Sequence, residues 1–220
     1  MYNRMLEKMD DFFAARLDGY DEHMLSEITG SSEFYPYTAS LLPADKGARV
    51  LDLGCGTGLE LEYYFSISPD AGVTGIDLSQ DMLNALQAKF PGQNIELIHA
   101  SYFDIPFGTA CFDAAVSVES LHHFTAEQKL GLYRKLFSAL KDHGRFVLTD
   151  YFAESEALEK EYFHNLTELK KEQGLTEDAF YHYDTPLTVE HETEVLRNAG
   201  FRNIRVMRRW EATCTLVAER

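Results

Sequence analysis

The stretch Val50-Leu51-Asp52-Leu53-Gly54-Cys55-Gly56-Thr57-Gly58-Leu59-Glu60 decides the fold. A short apolar strand runs straight into three glycines at alternate positions, and a helical pattern follows. Glycine serves where the backbone turns with positive φ, and where a ligand must lie against the main chain with no Cβ between them. At the first strand–helix turn of an open α/β sheet, such a loop predicts a site for a nucleotide-like ligand. Dinucleotide-binding loops follow G-x-G-x-x-G, and here Leu59 stands where the third glycine belongs. Asp52, two residues before the first glycine, would repel a phosphate but suit an ammonium or a sulfonium. The loop therefore reads as the binder of a cationic nucleoside.

Downstream the alternation continues. Gly72 to Ile76 reads as a second strand, and Asp77 at its end can accept hydrogen bonds from both hydroxyls of a ribose. Ser79 is placed to cap a helix through Ala88. Asn94 to His99 and Phe112 to Val118 read as further strands. Thr125 caps a helix to Leu140, Lys141 to Gly144 reads as a turn, and Arg145 to Thr149 as a fifth strand. Strands alternating with helices of this length imply parallel βαβ units with helices on both faces. Upstream, Leu6, Met9, Phe12, Phe13 and Leu17 recur at helical spacing, and two more short helices follow before Pro43. Beyond Asp150 a long amphipathic helix runs from Glu154 to Gln173, and an aromatic stretch spans Phe180 to Asp184. Thr188 caps a helix ending at Ala199-Gly200, and Ile204 to Met207 and Ala212 to Ala218 read as a final strand pair. The expected organisation is a single domain over 1–220: a helical cap (1–48), a ligand-binding core (49–150), a helical lid insertion (151–187), and a last helix with two strands (188–220).

Composition limits the partners. The 220 residues carry 36 Asp+Glu against 20 Lys+Arg, a net charge of -16, which disfavours a polyanion such as nucleic acid. The late arginines 197, 202, 205, 208 and 209 read as a solvated edge-strand face. With 45% hydrophobic residues the chain can bury a substantial core. No apolar run approaches the ~20 residues of a membrane span. The N-terminus lacks the apolar stretch of a signal peptide. Cys55, Cys111 and Cys214 are too scattered for a disulfide framework or a CxxC metal site, so reduced thiols in a cytoplasmic protein without a metal are expected.

The pair VLDLGCGTG and GIDLS resembles the class I S-adenosylmethionine-dependent methyltransferases. The likeness extends through Ser101 to Phe107, Phe112 to Ser117, Leu121 to Phe124 and Gly144 to Leu148. It implies an α/β Rossmann-like sheet of seven strands, the last antiparallel, with S-adenosylmethionine as cofactor. Carried over residue by residue, it places Gly54, Cys55 and Gly56 against the methionine moiety, with Asp52 behind the ammonium group. Asp77 would hold the ribose and Leu78 the adenine, with Ser101 and Tyr102 at the adenine edge. Many relatives have Asp at the Ser101 position. The carbonyl of Val118 would face the ammonium, and Tyr20 would close the site from the N-terminal helices.

Methyl transfer requires alignment of a nucleophile with the sulfonium methyl and exclusion of water. A general base is needed only where the nucleophile carries a proton. His122, His123 and Glu119 are the candidates, with a structural role as the alternative for each. Tyr151, Phe152, Tyr162, Phe163, Phe180, Tyr181 and Tyr183 would line an aromatic pocket or pack the lid onto the sheet. The expected acceptor is a small molecule, and the expected state a monomer or homodimer. The segment order after strand five, with Leu17-Asp18-Gly19-Tyr20, also looks like carboxy-S-adenosylmethionine synthase, a tRNA-modification enzyme. That enzyme needs an arginine in the helix before Ala-Gly-Phe, where this chain has Val195, with Arg197 directed elsewhere. A non-catalytic S-adenosylmethionine-binding subunit is the remaining alternative.

Overall fold

The computed structural model describes residues 5–176 and 179–220. The glycine loop is preceded by β1 (Arg49–Leu53), whose last four residues are all buried. Such continuous burial is the mark of a strand covered on both faces. Parallel to it lie β2 (Gly72–Asp77), β3 (Asn94–His99), β4 (Phe112–Val118) and β5 (Leu140–Tyr151). Two more strands, β6 (Arg202–Trp210) and β7 (Thr213–Glu219), complete the order β3-β2-β1-β4-β5-β7-β6. β7 inserts antiparallel between β5 and β6, so the last strand is the reversed one. The neighbours of β1 are β2 on one side and β4 on the other, which puts the glycine loop at the point where the strand order reverses. Ligands of open α/β sheets bind at that crevice.

Eight helices accompany the strands among the described residues: α1 (Met9–Ala14), α2 (Tyr20–Ser26), α3 (Ser31–Ser40), α4 (Leu59–Ile67), α5 (Gln80–Lys89), α6 (Ala126–Ala139), α7 (Glu156–Gln173) and α8 (Val189–Ala199). Their starts follow local chemistry. Ser79, Thr125, Ser155 and Thr188 each accept a backbone N–H from the first turn of α5, α6, α7 and α8. At α6 the Gln128 side chain also reaches back to the Thr125 N–H, a reciprocal cap. Two cores flank the sheet, one built around Leu51, Phe146 and Phe201, the other around Val50, Tyr64 and Val147. A buried charge cluster joins α6 to α8. The Lys129 ammonium lies 2.5 Å from the Glu192 carboxylate, and the Tyr133 hydroxyl donates to the same group.

Three boundaries differ from the sequence-based expectation. The turn expected at 141–144 is the beginning of β5, which pairs with β4 from Leu140 onward and slips register through a bulge before Arg145. Sheet pairing absorbs the turn residues there, with His143 at φ 65°. The N-terminal helix is only α1, because residues 6–9 spend their backbone groups on tertiary contacts. Leu6 N–H donates to Gln173 Oε1 at 3.0 Å, and Met9 N–H to the Phe180 carbonyl at 3.0 Å. Lys8 forms an antiparallel bridge with Tyr181, and His182 N–H donates to the Glu7 carbonyl at 3.0 Å. The third helix begins at Ser31, before the expected Phe34. The late arginines do lie on an exposed edge: β6 presents Arg202, Arg205, Arg208 and Arg209 to solvent, and Arg205 pairs with Glu219 at 2.8 Å.

Candidate active site

The loop after β1 turns at Gly54 with φ +72°. A Cβ there would fall 2.1 Å from Ser120 Oγ, so glycine is needed for space as well as for conformation. At Gly56 a Cβ would meet nothing within 4 Å, so the main chain there borders open space. Asp77 holds the loop in place. One of its oxygens accepts the Gly56 N–H and the other the Ser79 N–H, both at 2.8 Å. Burial pushes this carboxyl above the ordinary range, and those two N–H groups oppose the shift. A carboxylate oxygen has room for a second donor. The start of α2 is pinned to the same loop through Asp21, which accepts from Thr57 Oγ1 at 2.5 Å and pairs with Lys89 Nζ at 2.6 Å. This brings Tyr20 over the groove.

The groove is walled by Gly54, Gly56, Asp77, Leu78, Tyr102, Val118 and Tyr20, all expected from sequence. Met9, Phe13, Ser79, Met82 and Ser120 join them and were not expected. Asp52, Cys55 and Ser101 lie off its wall. The Cys55 side chain turns towards Gly75, where its Sγ would be 2.8 Å from an added Cβ. Ser101 turns its hydroxyl to the Phe103 N–H at 3.1 Å. Asp52 is 1% exposed and faces Glu60, 4% exposed, beneath the loop. Burial raises both acids, Asp52 further through the neighbouring Glu60 carboxyl, so the charged form of each is disfavoured. Asp52 is therefore not the bare negative charge that its position in the sequence suggests.

A second cavity of about 820 Å³ adjoins the groove. Phe13, Tyr20, Glu119 and His123 line both. Its floor is the 3-10 turn Leu121–His123 at the end of β4, organised by Asp150 at the end of β5. Asp150 accepts the Leu121 N–H at 2.9 Å and the Tyr151 N–H at 2.9 Å, and it lies 2.6 Å from His122 Nδ1. Burial disfavours a charged His122, but Asp150, with Asp184 and Glu119 beyond it, lifts the group to about 9. His123 behaves oppositely: burial and the neighbouring His122 and His182 hold it well below the usual range. Its Nδ1 faces two acceptors, the Tyr183 carbonyl at 3.2 Å and Asp184 Oδ1 at 3.4 Å. The proton of the neutral ring therefore sits on Nδ1, and the lone pair on Nε2. Burial, then Asp150, raises Glu119 to about 8, and Thr213 Oγ1 donates to it at 3.1 Å. Its backbone is held at φ 48°.

His122, His123 and Asp184 bring ligand atoms within 4.8 Å of one another, as do Glu119, His122 and Asp150. The 2.6 Å contact of His122 with Asp150 is a hydrogen-bond length and leaves no room for an ion between them. Asp150, Asp184 and Thr213 escaped the sequence reading. Asp150 alone had a signal, as an acid at the carboxyl end of a central parallel strand.

The family model of the methyltransferase domain matches residues 50–144. The chain is 24% identical to a carboxy-S-adenosyl-L-methionine synthase of Nautilia profundicola, over 99% of this chain and 97% of that one. It is 27% identical to the O-methyltransferase cnsE of Penicillium expansum, over 82% of this chain but only 61% of the fungal protein. Among solved structures, an S-adenosylmethionine-dependent methyltransferase of Mesorhizobium loti superposes with TM-score 0.61 at 21% identity, covering 84% of this chain and 96% of that one. A complex between the Haloferax volcanii Trm112 methyltransferase activator and the putative methyltransferase gives TM-score 0.67 at 18% identity, covering 97% and 98%. These two structures are likenesses of fold. Residues 50–144 thus match a methyltransferase domain, and over nearly its whole length the chain is similar to an enzyme that makes carboxy-S-adenosyl-L-methionine.

S-adenosylmethionine is the cofactor of this methyltransferase. The groove fits an adenosyl ligand in chemistry: open main chain at Gly56, a carboxylate with spare acceptor capacity at Asp77, and apolar Leu78 and Met82 beside it. It encloses about 50 Å³. Ligand pockets ordinarily exceed ~300 Å³. Met9, Phe13 and Tyr20 on its wall belong to the N-terminal segment. Among the described residues no helix is long and apolar enough to cross a membrane.

Proposed function

We propose that this methyltransferase transfers the methyl group to a small molecule held in the 820 Å³ cavity, with His123 as the proton acceptor. The observation that carries the reading is that His123 lies on the wall of both cavities, where cofactor and acceptor must meet. The bound cofactor supplies a methyl group already activated on a sulfonium. The chain supplies the rest. Asp77, Gly54, Gly56, Leu78, Tyr102, Val118 and Tyr20 hold the adenosyl ligand, and Asp52 supports the loop from below through Glu60. His122, charged on Asp150, fixes the turn and excludes water. His123 is kept neutral by burial and keeps its Nε2 lone pair for a proton on the acceptor. Thr185, beyond α7, ties down this floor, since its N–H donates to the His122 carbonyl at 2.8 Å.

The likeness to carboxy-S-adenosyl-L-methionine synthases raises a second reading, in which the extra carboxylate needs a cation. At the position expected for it, Val195 is 8% exposed and packed in the core. No residue of α8 lines either cavity among the described residues, and Arg197 is exposed. These observations favour ordinary methyl transfer. The test is a screen of small metabolites with radiolabelled methyl donor, run with wild type and His123→Gln. Label transfer that falls 10²–10⁴-fold in kcat in the variant, with S-adenosylhomocysteine affinity within threefold, is the expected result. An unchanged kcat refutes the role of His123. Transfer to no small molecule refutes the proposed substrate class.

A further inference from the structure

We propose that the methyl acceptor is an amine, recognised as its cation by Glu119 and Asp184 against the aromatic faces of the large cavity. This rests on the methyl-transfer reading and names the substrate class of that same site.

The cavity wall is unbalanced in charge. Among the described residues it carries the carboxyl groups of Asp18, Glu27, Glu119, Asp184 and Glu211, and Arg16 is the one Lys or Arg. That guanidinium is engaged: it pairs with Glu7 at 2.9 Å and lies 3.6 Å over the Phe12 ring. The positive charge of His122 is committed to Asp150 at 2.6 Å. Among the described residues the wall therefore offers no unpaired Lys or Arg to a carboxylate or a phosphate. Phe13 and Tyr151 add aromatic rings to the wall, and ring faces attract ammonium groups through their quadrupoles.

A second observation points the same way independently of charge. His123 is 8% exposed, yet its Nε2 has no hydrogen bond within the described protein. An open acceptor at the junction of the two cavities calls for a ligand that donates a proton there. Glu119 shares that junction, is oriented by Thr213, and is held in a left-handed backbone conformation that side chains rarely adopt. An ammonium beside Glu119 offsets the burial that raises this carboxyl, favours its charged form and lies beside the methyl group, which makes its nitrogen the acceptor atom. The ammonium gives one proton to His123 Nε2. The freed lone pair forms the N–C bond as the C–S bond breaks. The electron pair of the broken bond stays on sulfur, leaving S-adenosylhomocysteine and a methylated ammonium.

The test is calorimetric titration of the protein saturated with S-adenosylhomocysteine, using three probes of one skeleton: 2-phenylethylamine, 2-phenylethanol and phenylacetate. The amine should bind at least tenfold more tightly than the other two. Glu119→Gln should weaken the amine about tenfold, the order expected for one charge-assisted hydrogen bond, and leave the alcohol within twofold. Should that variant fail to fold, Asp184→Asn, at a side chain 48% exposed, should weaken the amine several-fold and not the alcohol. Equal or tighter binding of the alcohol or the acid overturns the inference, as does an amine that fails to bind at millimolar concentration. Those outcomes leave methyl transfer standing. Failure to bind S-adenosylhomocysteine overturns both.

Discussion

Replacing Asp77 by alanine tests the cofactor assignment most directly. Each carboxylate oxygen already accepts one backbone N–H at 2.8 Å, from Gly56 and Ser79, and can accept a second donor. Two ribose hydroxyls would fill those positions. A hydrogen bond to a charged group contributes about 1.5–3 kcal/mol. Water entering the space left by the side chain recovers part of the loss, so the lower figure applies twice, roughly 3 kcal/mol, or about a hundredfold in Kd. The same substitution strips the acceptors from two loop N–H groups, which should lower the stability of the ligand-free protein by about 1–3 kcal/mol. The two effects separate by method. Calorimetric titration with S-adenosylhomocysteine reports the first, and urea unfolding of the ligand-free protein the second. Asp77→Asn keeps one acceptor oxygen and should fall between wild type and alanine in affinity. A folded alanine variant whose Kd changes less than threefold refutes the reasoning, whatever its stability.

Three other perturbations follow from separate features. Gly54→Ala places a Cβ at φ +72° and 2.1 Å from Ser120 Oγ, so urea unfolding should show a loss of roughly 2–4 kcal/mol. Ser120→Gly in the same chain should recover part of it, and strict additivity of the two substitutions would contradict the steric account. Lys129→Met leaves Glu192, 0% exposed, without its cation and should cost about 3–5 kcal/mol. Adding Glu192→Leu should restore most of that, and a double variant no better than the single one would contradict it. His122 is raised from 6.5 to about 9 in the folded protein, so its stabilising contribution is full below pH 6.5 and is lost as pH rises through about 9. Asp150→Asn should bring the His122 titration, followed by NMR of its ring protons, down by more than one pH unit; an unmoved titration would show that Asp150 is not the cause.

What the sequence made legible is what neighbours in the chain determine. A short apolar run marked β1 as a strand, the glycines marked the loop, and Ser79 and Thr125 marked the starts of α5 and α6, because each signal lies within a few residues. The groove residues came with them, since Gly54, Gly56, Asp77 and Leu78 flank two adjacent strand ends. The surroundings of Asp52 were not legible, because they are set by Glu60 on the following helix and by burial, neither of which a motif records. The cavity floor was only half visible. Its histidines are contiguous, but Asp150 and Asp184 reach them from 28 and 62 positions beyond His122, and Thr213 reaches Glu119 from 94 positions away. The turn expected at 141–144 failed for the same reason in reverse: pairing with β4 overrode local preference.

The backbone bridge between residues 7–9 and 180–182 has a kinetic meaning. Met9 and Phe13 wall the cofactor groove, while His182 and Phe12 wall the acceptor cavity and stack on each other at 3.5 Å. Both compartments are thus latched by one clasp. A substitution that loosens the Phe12–His182 stack is therefore expected to speed exchange in both compartments together, read as parallel rises in the release rates of S-adenosylhomocysteine and of the methylated product.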